Sequence, residues 1–250
     1  ASAISKELLE MAQQHGFTRQ EIYEIVVAGN STMREILFKL DVQSIGQKPY
    51  KSLIEEEFLA GKRPHTALLQ EARRLGLRAN PKTKVYGMPL IASHVGADTA
   101  ADLVALDMDT CKNDEVVMLV DVGTNTEVVV SKGGRMMAAS CPAGPAFEGG
   151  LIKFGMPGYE GAIESVAIDE DGSVDYRTIG DIAPEGLCGS GLVDLLAQLR
   201  RRNLMTEMGV FSADRKQFEI MLIPEHGITF SKEDASNLAQ AKAANYCGQY

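Results

Sequence analysis

No pair among the four cysteines, Cys111, Cys141, Cys188 and Cys247, has the Cys-x-x-Cys spacing of a zinc or iron–sulfur ligand set. Reduced thiols are therefore the expected state, and a cytoplasmic setting goes with them. Histidine is scarce as well: His15, His65, His94 and His226 are scattered and none has metal-ligand spacing. No apolar run approaches the roughly 20 residues a membrane span needs, and no signal peptide is visible. Positive charge is in deficit, with 25 basic residues against 34 acidic and a net charge of −9. A uniformly anionic surface repels nucleic acid and anionic membrane, so neither is an expected partner. A Gly-x-Ser-x-Gly elbow and a Lys-containing P-loop are both missing, which disfavours serine hydrolase and Walker-type ATPase chemistry. No repeat of roughly 20–50 residues and no low-complexity tract is present. Tryptophan is absent, which decides nothing.

What is present is enough for a sizeable core: 250 residues, 45% of them hydrophobic, in one large domain or two smaller ones. The chain opens without Met in a helical pattern (Ile4, Leu8, Leu9, Met11, Ala12). It stops just after a second helix, which the capping box Ser231-Lys232-Glu233-Asp234 introduces. The expectation is a piece of a longer protein. Between these ends, "EIYEIVVAGN" reads as a buried strand and "STMREILFKL" as a helix capped by Asn30 or Ser31. Residues 41–61 read as irregular, and "PHTALLQEARRLGL" as an amphipathic helix from Pro64 to Gly76. "KVYGMPLIA" is a short strand and turn, and "VGADTAADLVALDM" a helix. Cys111–Asp114 is a polar break and the expected domain boundary.

Beyond that break three strands follow in quick succession, Val116–Val120, Glu127–Ser131 and Arg135–Ser140. A hairpin over 164–168 and 174–179 turns at Asp169–Gly172, and a glycine-rich turn, "PEGLCGSG", feeds a long helix. "FEIMLI" is a later strand. Strand–helix units followed by a β-meander and more helices give a mixed α/β fold with helices packed on sheets.

The first turn of the meander, Asp121-Val122-Gly123-Thr124-Asn125-Thr126, is richer in hydrogen-bonding groups than a hairpin requires. Successive N–H groups of Gly123, Thr124 and Asn125 can form an anion nest, and Thr124, Asn125 and Thr126 add hydroxyl and amide donors. An acid beside phosphate repels it unless it carries a magnesium ion through water, the role open to Asp121; Glu127 can do the same or orient a water. The competing reading is a hairpin with a polar tip. Three further turns join strands to helices. Gly29-Asn30-Ser31-Thr32 and Gly96-Ala97-Asp98-Thr99 either face an anion with a helix N-terminus or cap their helices. Gly189-Ser190-Gly191 either does likewise or lets a helix approach a sheet closely. Arg200-Arg201-Arg202 reads as a solvated helix end.

"LVDVGTNTEVVV" resembles the phosphate hairpin of the acetate and sugar kinase/Hsp70/actin superfamily. More specifically, "VAGNSTM", "HVGADTAADL", "DVGTNTE", "AGPAFEGG" and "GLCGSGLVDLL" come in the order found in the ATP-dependent reductive activators of corrinoid proteins. Thr126 departs from that family, which usually has Gly there. The resemblance implies an α/β, two-lobed actin-like ATPase fold, incomplete at both ends. Residues 1–110 would be the later part of the first lobe, and residues 114–250 the early part of the second, carrying the phosphate hairpin. It implies ATP and Mg²⁺ as cofactors, with an iron–sulfur cluster in an N-terminal domain ahead of this chain. The implied partner is a corrinoid protein of a methyltransferase system, with a homodimer as an admissible assembly. The implied activity is one-electron return of inactive Co(II) to Co(I). Asp121 and Glu127 become the catalytic candidates, and Asp121 also the metal candidate. Gly123, Thr124, Asn125, Thr126, Asn30, Asp98, Gly189 and Ser190 become the nucleotide-binding ones. A small-molecule kinase and a non-catalytic nucleotide-binding scaffold of the same superfamily remain alternatives.

Overall fold

The structure, a computed structural model, describes residues 1–108, 115–212 and 218–250. The expected boundary at Cys111–Asp114 lies outside the described residues. The chain divides into two compact units, one of Ala1–Leu119 with Val129–Ala139, the other of Val120–Val128 with Ser140–Tyr250.

The first unit begins with α1 (Ser2–His15), stopped by Gly16 in the left-handed conformation at φ 72°. Strand β1 (Glu24–Val27) leads into α2 (Ser31–Leu37), whose N-cap Asn30 accepts the Met33 N–H at 2.9 Å. The stretch expected to be irregular contains a helix, α3 (Leu53–Leu59), capped by Ser52, which accepts the Glu55 N–H at 3.1 Å. The expected Pro64–Gly76 helix is a strand, β2 (Leu68–Glu71), followed by a single helical turn, α4 (Ala72–Leu75). Strand pairing overrides the helical spacing here, because β2 lies antiparallel on β3 (Lys84–Gly87) with Leu68 opposite Gly87 and Glu71 opposite Lys84. β3 is the middle strand of the order β1-β3-β2 and runs parallel to β1. Ala72, Leu75, Leu77 and Val85 form its core, with Ile4, Ile25, Val27, Leu37 and Phe38 packed around them. Helix α5 (Ala97–Ala105) follows.

Next in the chain come β4 (Val116–Val122), β5 (Asn125–Lys132) and β6 (Arg135–Pro142), a meander in sheet order β4-β5-β6. All three strands are longer than their apolar runs, so that only Gly123 and Thr124 lie between β4 and β5.

In the second unit, β7 (Ala162–Ile168) is the middle strand of a sheet, antiparallel to β8 (Val174–Thr178) and parallel to β9 (Gly186–Leu187). Helix α6 (Gly189–Arg201) packs on β7 through Leu192, Leu195 and Leu199, all fully buried on one face. A second, two-stranded sheet pairs β10 (Glu219–Ile223) with β11 (Ile228–Ser231). The capping box then forms as expected. Asp234 accepts from the Ser231 N–H at 2.8 Å, Ser231 accepts from the Asp234 N–H at 3.0 Å, and α7 (Lys232–Gly248) starts. One continuous core joins these elements, including Ile163, Val166, Leu195, Phe230 and Leu238. Among the described residues no helix is long and apolar enough to cross a membrane.

Candidate functional site

The meander places Asp121 half-buried as the penultimate residue of β4, and exposed Asn125 as the first residue of β5. At the tip the backbone does not form a simple nest. The Gly123 N–H donates back to the Asn125 carbonyl at 3.0 Å, and is thereby used inside the turn. Thr124 points its donors elsewhere. Its N–H reaches Glu148 Oε1 at 3.0 Å and its hydroxyl donates to Glu148 Oε2. The tip also accepts, since the Gly144 N–H donates to the Thr124 carbonyl at 2.8 Å. Glu127 is held from the neighbouring strand end by the Ser140 hydroxyl, which donates to its Oε1 at 2.8 Å.

Thr126 does not join this group. Its side chain is fully buried, and its hydroxyl donates to Oδ1 of Asn245 on α7. Alternation along β5 sends Thr126 to the opposite face from Asn125 and Glu127. Glu148, in turn, was not among the residues expected from sequence. It ends a 3₁₀ turn, Pro145–Glu148, bracketed by Gly144 at φ 81° and Gly149 at φ 85°. The "AGPAFEGG" stretch showed the glycines, but only the fold shows that they deliver the acid to the hairpin.

Gly189 opens α6 and lines, with Glu148, Phe147, Met156 and Gly158, a cavity of about 540 Å³. A Cβ on Gly189 would lie 2.4 Å from the Phe147 carbonyl oxygen, and one on Gly191 2.2 Å from that of Ile163. The Ser190 hydroxyl donates to the Glu164 carbonyl at 2.7 Å. This turn therefore serves the close approach of α6 to β7.

Asn30 and Asp98 belong to the first unit and are brought together there. The Gly29 carbonyl accepts the N–H groups of Ala97 and Asp98 at 3.0 and 3.2 Å, and a Cβ on Gly96 would lie 2.9 Å from the Asn30 Cα. Two helix starts thus converge on one point, α2 and α5, the latter capped by Gly96 rather than by Asp98. Asp98 Oδ1 accepts the Thr99 N–H at 2.9 Å. One turn further on, burial first and the Asp98 charge second raise the Asp102 carboxyl above the ordinary aspartate range. α2 itself carries a buried pair, Arg34 and Glu35, 3.5 Å apart and without exposed side-chain surface. Arg34 also donates to the Thr66 and Met88 carbonyls at 3.0 and 2.6 Å. Burial raises the Glu35 carboxyl, against the lowering pull of Ser52 and Arg34.

Among the described residues no group of three or more His, Cys, Asp or Glu is placed to hold a metal ion. What the hairpin offers is a pair of donors on Thr124, an acid, Asp121, near the end of the strand before it, and a second acid, Glu127, three residues after it.

Comparison with known proteins places the chain in a family. Residues 115–250 match the family model described as the C-terminal domain of RACo, the ASKHA domain, and residues 1–111 match the RACo middle region. The chain belongs to the RACo family. An ASKHA domain, of the actin-like α/β class, implies nucleotide binding. Among RACo relatives, the corrinoid activation enzyme RamQ of Eubacterium limosum is 30% identical over 267 aligned positions, covering 98% of this chain and 42% of RamQ. A reductase of Methanosarcina barkeri, described as acting on the Co(II) methylated amine-specific corrinoid protein, is 40% identical over 75 residues, 30% of this chain and 14% of that protein. A solved structure described as a reductive activator for corrinoid, iron-sulfur protein superposes with a TM-score of 0.80 at 34% identity, covering 97% of this chain and 39% of the other. The chain spans about two fifths of the length of RamQ and of that solved RACo relative.

Proposed function

We propose that this chain is the nucleotide-binding part of an ATP-dependent reductive activator that returns a corrinoid protein from inactive Co(II) to Co(I). The observation that carries the reading is the tip of the β4–β5 hairpin, where the N–H and the hydroxyl of Thr124 converge on the two oxygens of one carboxylate. A site that already satisfies an oxyanion with two donors fits a phosphate group. The names of the relatives supply the substrate class, a corrinoid protein.

In this reading Thr124 and Asn125 hold phosphate at a turn that Gly123 shapes, its own N–H being spent on the Asn125 carbonyl, and Asp121 would position magnesium through water. Glu127, held by Ser140, orients a water or shares the metal. Asn30 and Asp98 remain nucleotide-binding candidates of the first actin-like lobe, residues 1–110, and the hairpin belongs to the second, residues 114–250. Gly189 and Ser190 contribute by seating α6 on β7. ATP binding would favour one state of the protein, and hydrolysis to ADP and phosphate would remove the contacts that favour it. The residues that hold it bias a two-state element that the corrinoid protein senses. The electron balance would close with cobalt gaining the one electron that an iron–sulfur cluster, expected in a separate domain of the activator, would supply. The partner belongs to a methyltransferase system.

The test is Asp121→Ala in a whole activator. ATP turnover stimulated by the corrinoid protein, and formation of Co(I), should both fall by about two orders of magnitude or more, as loss of a positioned charge commonly costs. Full activity overturns the assignment. Phosphoryl transfer to a small acceptor would make the protein a kinase instead, and nucleotide binding without turnover would make it a scaffold.

A further inference from the structure

We propose that Glu148 is an internal anion that holds the phosphate donors of the β4–β5 hairpin and has to leave them before polyphosphate binds. The proposal rests on reading that hairpin as a phosphate site. Both oxygens of Glu148 are engaged by one residue, Oε1 by the Thr124 N–H at 3.0 Å and Oε2 by the Thr124 hydroxyl. An exposed carboxylate satisfied by water would have no need of this arrangement, and Glu148 is exposed.

Backbone, rather than a chance rotamer, brings the acid there. The 3₁₀ turn ending at Glu148 is closed by the Gly150 N–H donating to the Pro145 carbonyl at 2.8 Å, and is tied to the tip through Gly144 and Thr124. Gly149 lies so close to the following loop that a Cβ there would come within 2.3 Å of the Met156 nitrogen. On the hairpin side, a Cβ built on Gly123 would sit 3.5 Å from Glu148 Oε1, so the acid lies directly against the tip. Glu148 also lines the cavity of about 540 Å³, which gives a displaced carboxylate room to turn into. A site whose donors are engaged in this way binds an incoming anion with an affinity reduced by the fraction of time they are free. Phosphate has to replace a charge-assisted pair with its own.

Titration of the 250-residue chain with tripolyphosphate, followed at the Thr124 amide by NMR, tests this. Glu148→Ala should tighten binding by about tenfold, the worth of one charge-assisted hydrogen bond. Glu148→Gln, which keeps an acceptor but not the charge, should tighten it less, and in both variants the free-state Thr124 amide should shift. Binding that is unchanged or weakened in Glu148→Ala, while the wild-type chain binds, overturns the proposal and leaves the phosphate hairpin standing. Absence of binding in the wild-type chain and in both variants overturns the hairpin reading, and the proposal with it.

Discussion

Asn245 Oδ1 on α7 accepts a hydrogen bond from the Thr126 hydroxyl on β5, and both side chains are buried. The hydrogen bond ties the last helix to the strand two residues past the hairpin tip. It gives Thr126 a packing role. Thr126→Val keeps the shape but leaves the Asn245 amide oxygen without its donor. The expected cost is about 1–3 kcal/mol of stability, the penalty of an unsatisfied buried acceptor. Urea denaturation checks it, and Thr126→Val/Asn245→Leu should recover much of the loss.

Arg34 and Glu35 form a pair whose disruption is costly on either side. Arg34→Ala leaves the Glu35 charge buried and the Thr66 and Met88 carbonyls without their donor. About 3–5 kcal/mol of stability should be lost, as for other broken buried pairs. Survival of the variant with an unchanged urea midpoint would refute the buried-pair account.

Glu35 also predicts a pH effect. Its carboxyl is raised in the fold above the unfolded value of 4.5, chiefly by burial. Between those two values the folded state holds a proton that the unfolded state does not, so stability falls as pH rises through the window and is fully gained below it. Glu35→Gln should flatten that part of the stability–pH curve.

Asp102 offers a local version of the same test. Burial is the larger cause of its raised carboxyl and Asp98 the smaller. Asp98→Asn should therefore lower the Asp102 titration midpoint, followed by carboxyl ¹³C shifts, without returning it to the ordinary range. A midpoint that does not move would mean that the two acids on α5 do not sense each other.

Thiol chemistry separates three of the cysteines. Cys247 is exposed, Cys141 half-buried, and Cys188 buried with its Sγ 3.4 Å from the Ile163 carbonyl oxygen. Alkylation in native buffer, mapped by mass spectrometry, should proceed in that order. Early loss of the Cys188 thiol would mean that the α6 N-terminus opens readily.

The parts of the fold that were readable from sequence are those whose local signals agree with their tertiary setting. The capping box before α7, the apolar face of α6 and the three strands of the meander are of this kind. The β2 segment reads as helix because its apolar residues repeat at helical spacing, while its conformation is decided by a later partner strand, with Leu68 facing Gly87 at one end and Glu71 facing Lys84 at the other. Helix α3 announces itself only through Ser52 and Glu55, in a stretch without strong periodicity. At the candidate site, the acid and the donors of the hairpin were visible as letters. Glu148 was visible too, but its purpose depends on a contact across 24 positions of chain. Thr126 read as a tip donor because the side of a strand that a residue faces depends on where the strand begins, and β5 begins two residues earlier than its apolar run.

The placement of β7 between β8 and β9, under α6, sets a clock as well as a shape. At Ile163 the strand has a pairing partner on each edge, Thr178 on one side and Leu187 on the other. Amides held in this way exchange with solvent only when a whole cooperative segment opens. In D₂O this short run of backbone should keep its protons longest in the second unit, long after the exposed hairpin tip has lost its own. The interval between those two losses measures how far the site can loosen while the fold beneath it stays closed.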